Sequence, residues 1–158
     1  MRNTMTFQVN APPVRVFDFC ADFEATAPVL SRSTKITEMS PGPVGLGTVI
    51  HYVDERFGIV SRAEVVEYFP PRILTVVTVS NGRGPFTTRT VVEPADEGGS
   101  TVRVYSDGQP FALSIWMRPF TWMFGPAIRK AMTKATDRYV AFARRTLEVP
   151  EPNDSVTT

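Results

Sequence analysis

Residues 120–147 read FTWMFGPAIRKAMTKATDRYVAFARRTL, the one long helical pattern in the chain. Phe124, Ile128, Ala131, Ala135, Tyr139, Phe142 and Thr146 recur every three or four residues, so they share one side of a 3.6-residue helix. Lys130, Lys134, Arg138, Arg144 and Arg145 gather on the opposite side. At 1.5 Å per residue the segment makes a rod of about 40 Å. A rod with one apolar stripe needs something to cover it, and nearly everything upstream reads as short strands. The stripe is therefore expected to lie across a sheet, with any bound molecule held between the two.

Working back from that helix, the hydrophobic period falls to two. Met5, Phe7 and Val9 alternate with Thr4, Thr6 and Gln8, the pattern of a half-buried first strand. Asn10-Ala11-Pro12-Pro13 then opens a helix: Asn10 is a potential cap, and prolines suit a first turn whose N–H groups have no partner anyway. Val14, Phe17 and Ala21 form its inner face, and Asp22–Ala25 starts a second short helix expected to stop before Pro28. Strands are predicted at 33–39, 48–55, 59–68, 73–80, 86–93 and 101–107, joined by glycine- and proline-rich links such as Arg56-Phe57-Gly58 and the Pro70-Pro71 corner. The order is one strand, two helices, six strands and one long helix. A seven-stranded antiparallel sheet cannot leave its core face open, and only the helices can cover it. The fold class is α+β.

At 158 residues one domain is expected, over 1–147, followed by a disordered tail at 148–158 with no apolar pattern. The net charge of +1 leaves no nucleic-acid footprint overall. Its distribution is uneven: residues 118–145 carry +6 and the remainder −5. Cys20 is the single cysteine, so no intramolecular disulfide can form, and its apolar setting suits an inert buried thiol. The N-terminus lacks the apolar core of a signal peptide, and the apolar run 110–128 is broken by Arg118, Pro119, Gly125 and Pro126. A soluble cytoplasmic protein is expected, as a monomer or homodimer, with no metal and no cofactor.

Three strands declare their inner face. Phe7 and its alternates do so in the first, Thr88, Thr90 and Val92 in the sixth, and Val102, Val104 and Ser106 in the seventh. The third strand is ambiguous: Ile50, Tyr52 and Asp54 oppose Val49, His51, Val53 and Glu55 with nearly equal claims.

Several segments in this order resemble the START-like, or SRPBCC, superfamily, in its polyketide cyclase/dehydrase and lipid-transport branch. They are Val9-Asn10-Ala11-Pro12-Pro13 with Val16-Phe17, Ala21-Asp22-Phe23-Glu24, the loop Gly42–Thr48, the corner Glu64–Leu74, and Glu93-Pro94 followed by Gly98–Val102. The resemblance covers almost the whole chain, and its motifs are structural. It implies a helix-grip fold, a curved sheet wrapped around the C-terminal helix with a cavity for an apolar small molecule. It also implies that Ile50 and Tyr52 point inward with Asp54 leaning toward the cavity, that His51 faces out, and that Ala63 and Val65 point in.

Candidate site residues follow. His51 is the sole histidine, and a lone histidine is more often surface or satisfied core than catalyst. Tyr52 and Asp54 are the better catalytic candidates, since a carboxyl inside an apolar cavity would have a raised pKa; the plainer reading puts Asp54 in solvent at the mouth. Thr88, Thr90 and Ser106 supply uncharged hydroxyls that could orient a ligand, or could simply be good strand formers. Trp116, Met117, Phe120, Trp122, Met123 and Phe124 form an aromatic and methionine cluster suited to lid packing. With Arg118, Arg129 and Lys130 beside it, the cluster could also touch an anionic membrane surface transiently. The expected ligand wall is Ile50, Tyr52 and Asp54 with Val65, then Thr88, Thr90, Val102 and Val104, faced by Trp116, Phe120, Phe124 and Ile128. The cavity should measure roughly 300–1,000 Å³. Two functions fit: binding or carriage of a lipid, polyketide or quinone-like molecule, or cyclisation and dehydration of a poly-ketone by positioning and acid–base catalysis. The absence of a recognisable acid–base pair favours the first.

Overall fold

The computed structural model describes residues 2–30, 32–81, 84–108 and 121–148; the side chains at 30, 121–129, 131 and 132 lie outside that description. The chain runs β1 (Arg2–Val9), α1 (Pro13–Ala21), α2 (Phe23–Leu30), β2 (Thr34–Met39), β3 (Val49–Asp54), β4 (Ile59–Phe69), β5 (Ile73–Ser80), β6 (Phe86–Pro94), β7 (Ser100–Gly108) and α3 (Thr121–Leu147). A 3-10 turn at Asp96–Gly98 joins β6 to β7. This is the predicted α+β order.

The helix starts rest on local chemistry. Asp22 caps α2, its Oδ1 accepting the Ala25 N–H at 3.0 Å. Pro13 stands in the first turn of α1, but the residue before it is the extended Pro12, which makes no side-chain cap. Asn10 is not the cap; its backbone N–H donates to Glu148 Oε1 at 3.2 Å. Helix α2 also continues through Pro28 rather than stopping before it. The missing N–H removes one bond, to the Glu24 carbonyl. Packing of the following Val29 against the core outweighs that loss.

The seven strands form one sheet in the order β1-β7-β6-β5-β4-β3-β2, with every neighbour antiparallel. Hairpin succession accounts for β2 to β7, and β1 returns to pair with β7. Two register shifts interrupt the ladders, at Ile36/Glu38 and at Val65/Glu67. The extra residue bends each strand. In β4 it leaves Val66 exposed and returns Tyr68 to the inner face, edge-on to Phe17 with ring centroids 5.4 Å apart.

The packed core sits at one end of the sheet. Phe7, Val102 and Val92 form a continuous row across β1, β7 and β6. Val16, Phe17 and Phe19 of α1 cover it, together with Ala143 and Leu147 of α3. A buried hydrogen bond of 2.7 Å from Ser100 Oγ to the Ala11 carbonyl ties β7 to the start of α1.

The inner face of α3 differs in part from the sequence reading. Tyr139 is buried and Lys130 and Lys134 are exposed, as expected, whereas Ala135 and Phe142, expected to be buried, are half-buried. Thr146, however, is exposed, while Ala143 and Leu147 are buried at 0% and 5% exposure. Arg138 is half-buried rather than solvated. A straight helix crossing a twisted sheet meets it along a line that rotates around the helix, so the contact drifts off the first stripe toward its end. No helix among the described residues is long and apolar enough to cross a membrane.

Candidate functional site

Moving along the strands away from the packed core, the inward side chains change in kind. The row Phe7, Val102, Val92 is followed two residues on by Met5, Val104, Thr90 and Leu74, and then by Asn3, Ser106, Thr88 and Val76. Each step is about 7 Å along the strand. Valine gives way to threonine and serine, and phenylalanine to asparagine. Over the last two rows a cavity of about 420 Å³ opens. Its sheet wall continues through Ile50, Tyr52 and Ala63 to the other edge. The opposite wall is made by Phe23, Thr26 and Ala27 of α2 and by Ala135, Thr136 and Tyr139 of α3. Several residues of both walls are small: Ala27, Ala135 and Thr136 on the helices, Ala63 and Thr88 on the sheet. Close packing would need larger side chains on one of the two sides.

Among the described residues, the polar groups of the wall are uncharged. The Tyr52 hydroxyl donates to Thr78 Oγ1 at 3.3 Å. Burial raises the Tyr52 pKa, and the Thr78 hydrogen bond offsets this only in part. The Tyr139 hydroxyl lies 3.7 Å from Cys20 Sγ, with its ring tilted against Phe19 and edge-on to Phe7. Burial lifts Cys20 to about 11 and Tyr139 well above the usual phenol range. All three therefore stay protonated at neutral pH. Among the described residues that line the cavity there is no Asp, Glu, Lys, Arg or His. Nor do three His, Cys, Asp or Glu side chains converge anywhere among the described residues as a metal site.

A family model described as polyketide cyclase / dehydrase and lipid transport matches residues 2–145. The chain belongs to that family. Its fold is similar to the Aha1 dimer of Colwellia psychrerythraea, with a TM-score of 0.62 and 12% identity over 94% of this chain and 97% of that one. TTHA0849 of Thermus thermophilus is similarly related, at TM-score 0.62 and 15% identity over 94% and 97%. Ara h 8.0201 superposes at TM-score 0.57 and 16% identity over 89% and 98%. No curated protein gives a significant match. At these identities the neighbours speak to the helix-grip fold alone.

In this polyketide cyclase/dehydrase and lipid-transport chain, Ile50, Tyr52, Thr88, Thr90 and Val104 all come together on the cavity wall. Val65 and Val102 do not. Both are at 0% exposure inside the packed core, beneath the wall rather than on it. Asp54 shares the parity of Ile50 and Tyr52 but is absent from the lining. Its Oδ1 accepts Ser33 Oγ at 2.8 Å and the Arg56 N–H at 3.0 Å, so the carboxylate closes the β3–β4 hairpin. His51, between two inward neighbours, projects from the outer face. Trp116 and Phe120 lie outside the described residues, as do the side chains of Phe124 and Ile128 and the proposed membrane contact. Sequence reading missed the contribution of α2, Cys20 and Tyr139. For Tyr139 the signal was its place on the α3 stripe, and for α2 it was the run of small residues Ala25-Thr26-Ala27, which also suits ordinary helix packing.

Proposed function

We propose that the protein binds and carries a neutral, mostly apolar small molecule in the cavity between the sheet and helices α2 and α3. The observation that carries this reading is that the described residues lining a cavity of about 420 Å³ are all uncharged. Removal of apolar ligand surface from water supplies roughly 25 cal/mol per Å². A charged ligand entering the same space would lose its hydration without finding a counter-charge on that wall. Asn3, Ser106 and Thr88 stand side by side across β1, β7 and β6, a row of hydrogen-bonding groups suited to one polar edge of a ligand. Lipid alcohols, quinones and reduced polyketides have this character.

Membership of the family supports hydrophobic-ligand binding in general and leaves the ligand open. Cyclase chemistry finds less support in the geometry, because Asp54 is engaged at the hairpin and the Tyr52 hydroxyl is bonded to Thr78, which does not titrate. Native mass spectrometry of the purified protein should reveal a co-purified apolar molecule. Decanol should displace a fluorescent apolar probe at least about tenfold better than decanoate at neutral pH. Equal displacement by the two would sink the neutral-ligand reading.

A further inference from the structure

A second hollow, of about 310 Å³, lies between α2 and α3 on a different face of each helix. Among the described residues it shares no lining residue with the cavity. Three arginines surround it: Arg32 just after α2, and Arg138 and Arg145 on α3. The last two are seven residues apart, two helical turns, so they stand on one side of α3 about 10 Å from each other along the axis. Phe142, Ala141, Val29 and Pro28 complete the lining. Glu24 of α2 and Asp137 of α3 are exposed and do not line it.

A basic helix end has an ordinary explanation, the attraction of cations to the negative C-terminal dipole. That accounts for Arg144, whose Nε donates to the Gln8 carbonyl at 3.4 Å. It does not account for three arginines lining one hollow, one from just after α2 and two from α3. Among the described residues, none of the five ion pairs uses Arg32 or Arg145, and both are exposed. Arg138 is half-buried and has a partner of its own, so Arg32 and Arg145 are the two arginines turned to solvent. Like charges gathered round a hollow repel one another unless an anion lies between them.

We propose that this cleft binds a phosphate monoester carrying an apolar substituent. Guanidinium forks match phosphate oxygens in pairs, and the exposed Arg32 and Arg145 can each present one. The volume exceeds that of bare phosphate, and the ring of Phe142 with Val29 and Pro28 offers the surplus an apolar surface. Because the α3 C-terminus itself disfavours anions, the arginines carry the recognition.

The test is an amide NMR titration of the full chain with phenyl phosphate, inorganic phosphate and benzyl alcohol. Phenyl phosphate should give saturable shifts around Val29, Ala141 and Phe142. Inorganic phosphate should act on the same amides at least about tenfold more weakly, and benzyl alcohol should not act there. R32Q/R145Q should lose at least about tenfold in phenyl phosphate affinity while keeping its circular dichroism spectrum and its displacement of the cavity probe. R145K should be intermediate, since it keeps the charge and loses the fork. Sedimentation with phosphatidylcholine vesicles, with and without phosphatidic acid, separates the sources. Binding that needs both phosphatidic acid and the two arginines indicates a lipid headgroup, and phenyl phosphate binding without sedimentation indicates a soluble ester; either supports the cleft. No saturable shift there below about 10 mM, or equal affinity in R32Q/R145Q, overturns it.

Discussion

Tyr52 and Asp54 are two residues apart on one strand, yet they do different work. Tyr52 stands on the cavity wall with its hydroxyl held by Thr78, while the Asp54 carboxylate accepts hydrogen bonds from Ser33 and Arg56. Asp54→Asn keeps an oxygen for both donors, and Tyr52→Phe removes one wall hydroxyl. Neither change should alter ligand affinity by more than about tenfold, or ~1.4 kcal/mol. Cyclisation of a poly-ketone by wild type that vanishes in either variant would replace the carrier reading with an enzymatic one. Cys20 offers a pH test. With burial lifting its pKa to about 11, the thiolate is scarce at pH 8. Iodoacetamide labelling should keep rising about tenfold per pH unit past 9 toward 11, and a bound ligand should slow it. A plateau near pH 9 would mean that Cys20 is open to solvent. The same shift bears on stability. The folded state holds the proton more tightly than the unfolded one, so this contribution is complete below pH 9 and is lost as pH rises toward 11.

At the scale of elements, α3 divides along its length. Ala143 and Leu147 belong to the packed core, and Ala135 and Thr136 face the cavity. Truncation and enlargement should therefore have opposite consequences at the two ends. Leu147→Ala should destabilise by about 2–5 kcal/mol in urea unfolding, as expected of a core truncation. Ala135→Trp should leave stability within about 1.5 kcal/mol, because it grows into empty space, and should weaken ligand binding at least about tenfold. A large loss of stability in Ala135→Trp would show that the space is closed in solution. Helix α2 was the least legible element in the sequence. Pro28 reads locally as a stop, whereas packing of Val29 carries the helix past it and makes Thr26 and Ala27 a cavity wall.

For the whole molecule, a packed core and a hollow lie side by side under one sheet. Ligand filling the hollow should stabilise the fold by mass action, by about 2.7 kcal/mol at a hundredfold excess over Kd. Thermal unfolding should shift upward with decanol and should shift less in Ala135→Trp. No shift with any neutral apolar probe would point away from a cargo role.

Element order, the α+β class and the inward parity of β1, β6 and β7 were all determined by the sequence alone. Each follows from a local rule: the period of apolar residues, the residues that turns require, and proline and acidic residues at helix starts. Ile50, Tyr52 and Thr88 were legible as wall residues once that parity and the family's placement of β3 were joined. Only the tertiary structure decided that Val65 and Val102 lie beneath the wall, that Asp54 turns to its hairpin, and that α3 rolls to bury Leu147 instead of Thr146. It also brought Tyr139 to Cys20 across 119 residues, and Arg32 to the same cleft as Arg145. The physical reason is common to all of these. A side chain's period says which face it takes, but whether that face meets a neighbour, a void or a charge depends on residues far away in the chain.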